Sequence, residues 1–359
     1  MKLGTTDISA IKLGSTDISK AMLGSSVVYE PQGETQFYIK NPSNTSVSFH
    51  NCENESSIDR GGSVTLGFDY STDKTNWTTL SQTFSFSGNT KTDSVSVTIP
   101  ANTTMYFRNI NLNYHTYTYY TSGNRRTGFR SPYVKITGTV STPLVMGGLI
   151  STLSGSKLYD YTNFKIQSTS SLDASKLILD VEPKYYYYYI DSYTKTYVNT
   201  YASMFNGSTG LVSAPELPFT TLTNSCFQLM FYGCSSLIKA PSILPATTLT
   251  PSCYNNMFYN CTSLQTGPEI CATNIGTSYN MQYMFMGCKS LNYLKVHFTQ
   301  WKFSSTDGYA QDCWSKLTQN TTGTFVCPSS LPQNFNSSGN NSTGSTASYI
   351  PYGWTVQTY

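Results

Sequence analysis

Charge is what this chain has least of. Asp, Glu, Lys and Arg make up 11% of its 359 residues and leave a formal net charge of +3, where soluble proteins average about 25% charged residues. So small a balance sets up no long-range field, which excludes recruitment of nucleic acid or anionic lipid by bulk charge. Lys and Glu, the usual cover of exposed helices, give way to Ser, Thr, Asn and Tyr. Thr and Tyr fit strands. The expected fold class is therefore mainly β with short helices, under a neutral, hydroxyl-rich surface.

Other features are missing as well. No run of about 18 apolar residues occurs, so no helical membrane span is expected. The opening MKLGTTDISA has a lysine but lacks the apolar stretch of about 7–15 residues that a secretory signal needs. There is no Cys-x-x-Cys, and His50, His115 and His297 are far apart along the chain. Spacing thus gives no metal site. No Gly-x-Ser-x-Gly elbow occurs, and no carboxylate pair stands out as acid and base. No catalytic residue and no cofactor is assigned, and the expectation is a protein that is not an enzyme. The nine cysteines are an odd number, which argues against a disulfide framework.

What is present is repetition. The first 31 residues keep a period of ten: Leu3-Gly4, Leu13-Gly14 and Leu23-Gly24 are in phase, as are Asp7-Ile8-Ser9 and Asp17-Ile18-Ser19. Each decad reads as a short strand, a Gly-containing turn and another short strand. Units with so few apolar side chains bury no core alone. Leu3, Ile8, Leu13, Ile18 and Leu23 are accordingly candidates for docking on a sister subunit or a larger assembly.

Residues 32–153 alternate between strand-like runs and turns. Val95, Val97 and Ile99, and Val64, Leu66, Phe68 and Tyr70, alternate with polar neighbours. One buried face per strand, repeated six to nine times, predicts a two-sheet β-sandwich. The stretch YSTDKTNWTTL (70–80) resembles the Asp-box turn in Ser71 and Asp73 but has Thr75 in place of Gly and Trp77 one position early, so it reads as a hairpin turn. YHTYTYYTSGNRRTGFR (114–130) mixes Tyr with Arg125, Arg126 and Arg130, the materials of a stacking platform. In so neutral a chain it reads as a long hairpin tip.

Beyond residue 153 the text repeats every 26 or 27 residues. Met-Phe pairs occur at Met204-Phe205, Met230-Phe231, Met257-Phe258 and Met284-Phe285. Thr223, Thr250 and Thr277 precede the last three as candidate helix caps, with Pro251 at a first helical position. Gly207, Gly233, Asn260 and Gly287 follow, residues that tolerate the left-handed conformation ending a helix. The spacing predicts a helix of about two turns per unit, then a strand at Leu-x-x-Ala-Pro whose ladder the proline ends. Met230, Phe231, Cys234, Leu237, Met257, Phe258, Cys261, Leu264, Met284, Phe285, Cys288 and Leu291 would form the buried seam of a helix–strand solenoid, the thiols acting as small hydrophobes.

These repeats resemble BspA-like leucine-rich repeats, with their aromatic-x-x-Cys-x-x-Leu core. The phrasing MFYGCSSL, AP, LPATTLT is similar to repeats in proteins of Bacteroides and of the crAss-like phages that infect them. The decad IKLGSTDISK resembles openings of phage structural proteins from that setting. GTFVCP (323–328) and IPYGWTV (350–356) look like the closing cap of such arrays. The resemblance covers about residues 150–359 and, more weakly, 1–31. Together with the strand alternation of residues 32–153 it divides the chain into four parts: decad repeats for docking and oligomerisation (1–31), a β-sandwich (32–153), a leucine-rich-repeat-like solenoid (154–312) and a C-terminal cap (313–359).

One unit is too long. Leu172 to Met204 is 32 residues, against 20 from Leu237 to Met257, and the excess carries PKYYYYYIDSYTKTY (183–197). Insertions into a solenoid leave through its loops, and Tyr offers large contact area at low entropy cost. Tyr185, Tyr186, Tyr187, Tyr188, Tyr189 and Tyr193 are candidate partner or receptor contacts. The competing reading is a strand whose alternate tyrosines pack on the next rung. The expected function is a virion structural protein, a head or tail fibre or appendage assembled in the host bacterial cytoplasm. It would meet other virion proteins through its N-terminus and a host surface glycan or protein elsewhere, as a homo-oligomer, trimer preferred to dimer. The alternatives are a bacterial BspA-like surface adhesin and a polysaccharide-degrading appendage.

Overall fold

The computed structural model describes residues 35–54, 63–85, 92–111, 115–121, 124–130, 133–154, 164–189, 195–273, 275, 279–301, 322–335 and 349–359, together with six short strands before residue 30. In the decads Lys2–Leu3 pairs antiparallel with Thr6–Asp7, Lys12–Leu13 with Thr16–Asp17, and Ala21–Leu23 with Ser26–Tyr29. Each pair is a two-stranded sheet of its own. Leu3, Leu13 and Leu23 lie on these strands, whereas Ile8 and Ile18 fall outside the described residues.

The chain is mainly β with almost no helix: among the described residues the one α-helix is Ile150–Ser154. A four-stranded sheet runs in the order Thr92–Ile99, Val47–Asn54, Tyr133–Thr137, Ile166–Ser168. A seven-stranded sheet runs Thr78–Ser85, Ser63–Ser71, Thr103–Arg108, Tyr38–Asn41, Leu144–Leu149, Leu172–Ile178, Leu211–Ser213. Period-two alternation puts Phe49 on the inner face of the first sheet and Phe68 and Phe107 on that of the second. Phe49 stacks on Phe107 at 3.9 Å and meets Phe68 edge-on at 5.2 Å. All three rings are buried, and such pairs contribute about 0.5–1.5 kcal/mol beyond their burial.

The turn at 72–77 joins two strands of the larger sheet, with the Ser71 hydroxyl donating to Asp73 Oδ1. That oxygen also accepts the N–H groups of Thr75 and Asn76. Lys74 takes a φ of 65°, and Trp77 Nε1 donates to the Lys74 carbonyl at 2.9 Å. The Asp-box-like residues hold a hairpin turn through side-chain-to-backbone bonds. Residues His115–Thr121 and Asn124–Arg130 also pair as a hairpin, from His115 with Arg130 to Thr121 with Asn124.

The seven-stranded sheet changes character at Leu144–Leu149. Its pairs are antiparallel up to that strand and parallel after it. The parallel ladder then passes through single bridges, Ser213 to Lys239 and Lys239 to Thr266, into Ile243–Leu244, Thr266–Ile270, Tyr293–Val296, Thr324–Cys327 and Thr355–Thr358. These rungs make a β-solenoid of about five turns. One cluster of buried side chains runs from Phe37 to Trp354 without a break at residue 153. The residues read as a closing cap supply the last two rungs of this ladder.

The helices predicted around the Met-Phe pairs are absent. Each coil instead carries a run of turns in which every fourth residue has positive φ: Ser203 and Gly207, then Ser225, Leu229 and Gly233, then Ser252, Asn256 and Asn260, then Tyr279, Tyr283 and Gly287. Such residues break an α-helix at each turn. Alternate N–H groups bond within the coil, as Met230 to the Phe227 carbonyl at 3.2 Å, and the others bond to the next coil, as Phe231 to the Met257 carbonyl at 2.9 Å. Ser225, Phe227, Leu229 and Gly233 likewise donate to Pro251, Cys253, Asn255 and Tyr259. The physical reason is cooperativity. An eight-residue helix is marginal, whereas the turn run gains a bond to its neighbour at every second residue. The Thr250 hydroxyl, read as a cap, donates to the Thr223 carbonyl of the preceding coil at 2.8 Å; Thr277 lies outside the described residues.

All twelve seam residues from Met230 to Leu291 are buried. Phe205, Phe231, Phe258 and Phe285 form a column of near-parallel rings 5.3–5.7 Å apart. Cys234, Cys261 and Cys288 donate their thiols to the carbonyls of Phe205, Phe231 and Phe258 at 3.0–3.1 Å. Each thiol thus ties its coil to the one before.

Candidate functional site

The five-tyrosine insertion is a hairpin. Tyr185–Tyr189 pairs antiparallel with Lys195–Asn199 and forms a separate two-stranded sheet, outside the parallel ladder. Its base is fixed to the core. Tyr201 donates its hydroxyl to the Val181 carbonyl at 2.6 Å and accepts the Val181 N–H at 3.1 Å. The buried Tyr201 ring stacks on Phe227 at 5.7 Å, and Lys184 N–H donates to Thr200 Oγ1 at 2.8 Å. Tyr185 is 37% exposed. Tyr186, Tyr187, Tyr188 and Tyr189 occupy the rest of the strand, and Tyr193 lies outside the described residues.

A second feature lies across the rungs on the strand side. A cavity of about 550 Å³ is lined by Ser213, Glu216, Lys239, Ser242, Gln265 and Gly267, among others. Glu216 accepts the Ser242 N–H at 2.9 Å and its hydroxyl at 2.8 Å, which ties adjacent coils at the rim. Ile238, 51% exposed, adds an apolar edge.

The third feature joins side chains distant in sequence. Glu269 and Cys271 lie two residues apart on one strand line, so both project to the outer face. Lys295 and His297 do the same one rung on; inward-facing Ile270 and Val296 are fully buried. Glu269 Oε1 lies 2.6 Å from His297 Nε2 and 2.9 Å from Lys295 Nζ. The Tyr359 ring packs 5.7 Å from the imidazole, and its hydroxyl donates to the Val296 carbonyl at 3.0 Å. Burial raises the Glu269 carboxyl, but hydrogen bonds from Lys295 and His297 outweigh it and hold the group below its usual range. Burial and then the Glu269 charge push the Cys271 thiol up.

The register explains how these residues meet. Thr266 pairs with Tyr293, but Glu269 pairs with Lys295, so one residue is lost between the two. The irregularity coincides with Gly267 and Pro268, which lies inside the strand rather than ending it. Proline has no N–H to give the ladder. The shift puts His297 beside Cys271, where an unbroken period would place Phe298. Counting along the chain separated these residues; Glu-x-Cys on one strand with His one rung later is the signal that could have joined them.

Among the described cysteines only Cys271 is not buried. Burial pushes the Cys253 thiol up to about 12, and raises those of Cys226, Cys234, Cys261 and Cys288. These groups stay as protonated thiols in the core.

No family model matches the chain, and no curated protein or solved structure matches it.

Proposed function

We propose that the protein is a structural component of a phage particle, a head or tail fibre or surface appendage, that binds a host surface glycan or protein. The observation that carries this reading is the tyrosine hairpin, which pairs with itself instead of joining the ladder. A strand that served only the stack would pair with a rung. The repeat phrasing and the decads, through their resemblance to BspA-like repeats and phage openings, point to the setting. In this reading the two facing sheets form a sandwich that spaces the particle from a leucine-rich-repeat-like array. Decads too small to hold a core dock on other virion proteins and assemble the chain as a homo-oligomer, a trimer before a dimer.

Two measurements test this reading. Mass spectrometry of purified particles is expected to find the chain in stoichiometric amount; finding it in the host envelope fraction instead would favour the bacterial adhesin. Replacing Tyr186–Tyr189 with Ser is expected to lower adsorption at least tenfold with the circular dichroism spectrum unchanged. Unaltered adsorption would refute the contact role of the hairpin.

A further inference from the structure

We propose that Glu269, Cys271 and His297 form a binding site for a borderline divalent transition ion, Zn²⁺ foremost, on the outer face of the parallel ladder. A carboxylate oxygen of Glu269, the Cys271 sulfur and a His297 ring nitrogen all lie within 4.8 Å of one another. With bond lengths of about 2.0–2.3 Å to oxygen, nitrogen and sulfur, tetrahedral ligands sit about 3.3–3.8 Å apart. Closing the gap asks for about 1 Å of movement per donor, within the reach of rotamer changes at half-exposed side chains. The donor types fit too, since one thiolate, one imidazole and one carboxylate are a set that Zn²⁺ accepts and Ca²⁺ or Mg²⁺ does not favour.

The fold supplies the rigidity. Two donors lie at i and i+2 on one strand line, Glu269 within Thr266–Ile270 and Cys271 just past its end, where its N–H bonds to the Leu244 carbonyl at 3.1 Å. The third comes from the adjacent rung, whose position the ladder hydrogen bonds fix. His297 N–H donates to the Ile270 carbonyl at 3.0 Å. Tyr359 packs against the imidazole and limits its swing. Cys271 also stands apart from the other described thiols, which are buried. On binding, the Cys271 proton leaves to solvent and the carboxylate exchanges its bonds to His297 and Lys295 for one to the metal. Three protein ligands leave a fourth position for water or for a donor from a bound partner. Lys295 is a built-in competitor, because its ammonium pairs with the same carboxylate oxygen at 2.9 Å.

The test uses the full chain, freed of metal by chelator dialysis and titrated with Zn²⁺ alone and Co²⁺ alone. One Zn²⁺ per chain is expected, with a thiolate-to-cobalt charge-transfer band. Cys271→Ser should abolish that band, and Cys271→Ser and His297→Ala should each weaken Zn²⁺ binding at least tenfold. Lys295→Gln should tighten it several-fold by freeing the carboxylate. All three substitutions are on the outer face, so circular dichroism is expected to be unchanged. Absence of stoichiometric Zn²⁺ binding, or binding unchanged by Cys271→Ser and His297→Ala, would overturn the proposal. An unaltered affinity in Lys295→Gln would overturn the role given to Glu269.

Discussion

Asp69 shows how few charges this chain uses and how closely it holds them. Its side chain is 12% exposed. It accepts bonds from Thr79 Oγ1 at 2.7 Å, Asn109 Nδ2 at 2.8 Å and Arg108 Nε at 3.2 Å. The Arg108 guanidinium also lies 4.0 Å over the Trp77 ring. Burial raises the carboxyl, but the three hydrogen bonds and the Arg108 charge outweigh it and hold it below the usual range. A folded-state value below the unfolded one gives stability that is present above about pH 4 and lost as pH falls through the folded value. Asp69→Asn is therefore expected to cost about 1.5–3 kcal/mol at pH 7, the range for hydrogen bonds to a charged group. Denaturant titrations at several pH values should show that difference shrinking below about pH 4. A difference independent of pH would mean that the charge contributes nothing.

The element that defines the solenoid is the turn run, and its left-handed positions carry the strain. Gly233 has a φ of 71°, and a Cβ built there meets nothing within 4 Å. Its glycine is required by backbone conformation alone. Gly233→Ala is expected to destabilise by about 1–2 kcal/mol, the cost of a left-handed alanine. Gly233→Asn should cost less, because Asn260 holds the equivalent place at a φ of 58°. Thermal denaturation of the two variants compares them directly; equal losses would show that crowding, not φ, decides. Part of this was legible in sequence. Gly and Asn after each Met-Phe pair marked left-handed positions. Ser225, Leu229, Ser252, Tyr279 and Tyr283 also take positive φ, and nothing in their residue types announces it. Their conformation is imposed by bonds to the neighbouring coil, which a single unit lacks.

At the scale of the whole molecule the governing fact is continuity. The strand Leu144–Leu149 belongs to the antiparallel ladder through Tyr38–Asn41 and to the parallel ladder through Leu172–Ile178. The buried cluster crosses the same strand. A chain with two independent cores would unfold in two steps; a shared sheet and core couple the halves. Single-tryptophan variants retaining only Trp77, in the hairpin at the antiparallel edge of the sheet, or only Trp354, near the last rung, are expected to report the same midpoint in urea. Separated midpoints would show that the coupling at Leu144–Leu149 is weak.

The residues alone dictated a stack. A 27-residue period of Met, Phe, Cys and Leu has one apolar side per unit, and only neighbouring units can cover it. They also dictated strands, through alternation and through scarcity of helix-surface residues. Three things depended on the assembled fold. Backbone donors that a helix would have used internally go to the next coil, because there the stack offers an acceptor at every second residue. The seven-stranded sheet runs on into the solenoid because one strand, Leu144–Leu149, serves both ladders. Glu269, Cys271 and His297 meet because the register between their rungs slips by one at Gly267 and Pro268. Each of these is a relation between rungs, and hydrogen-bond partners across rungs exist only after the coils are laid on one another.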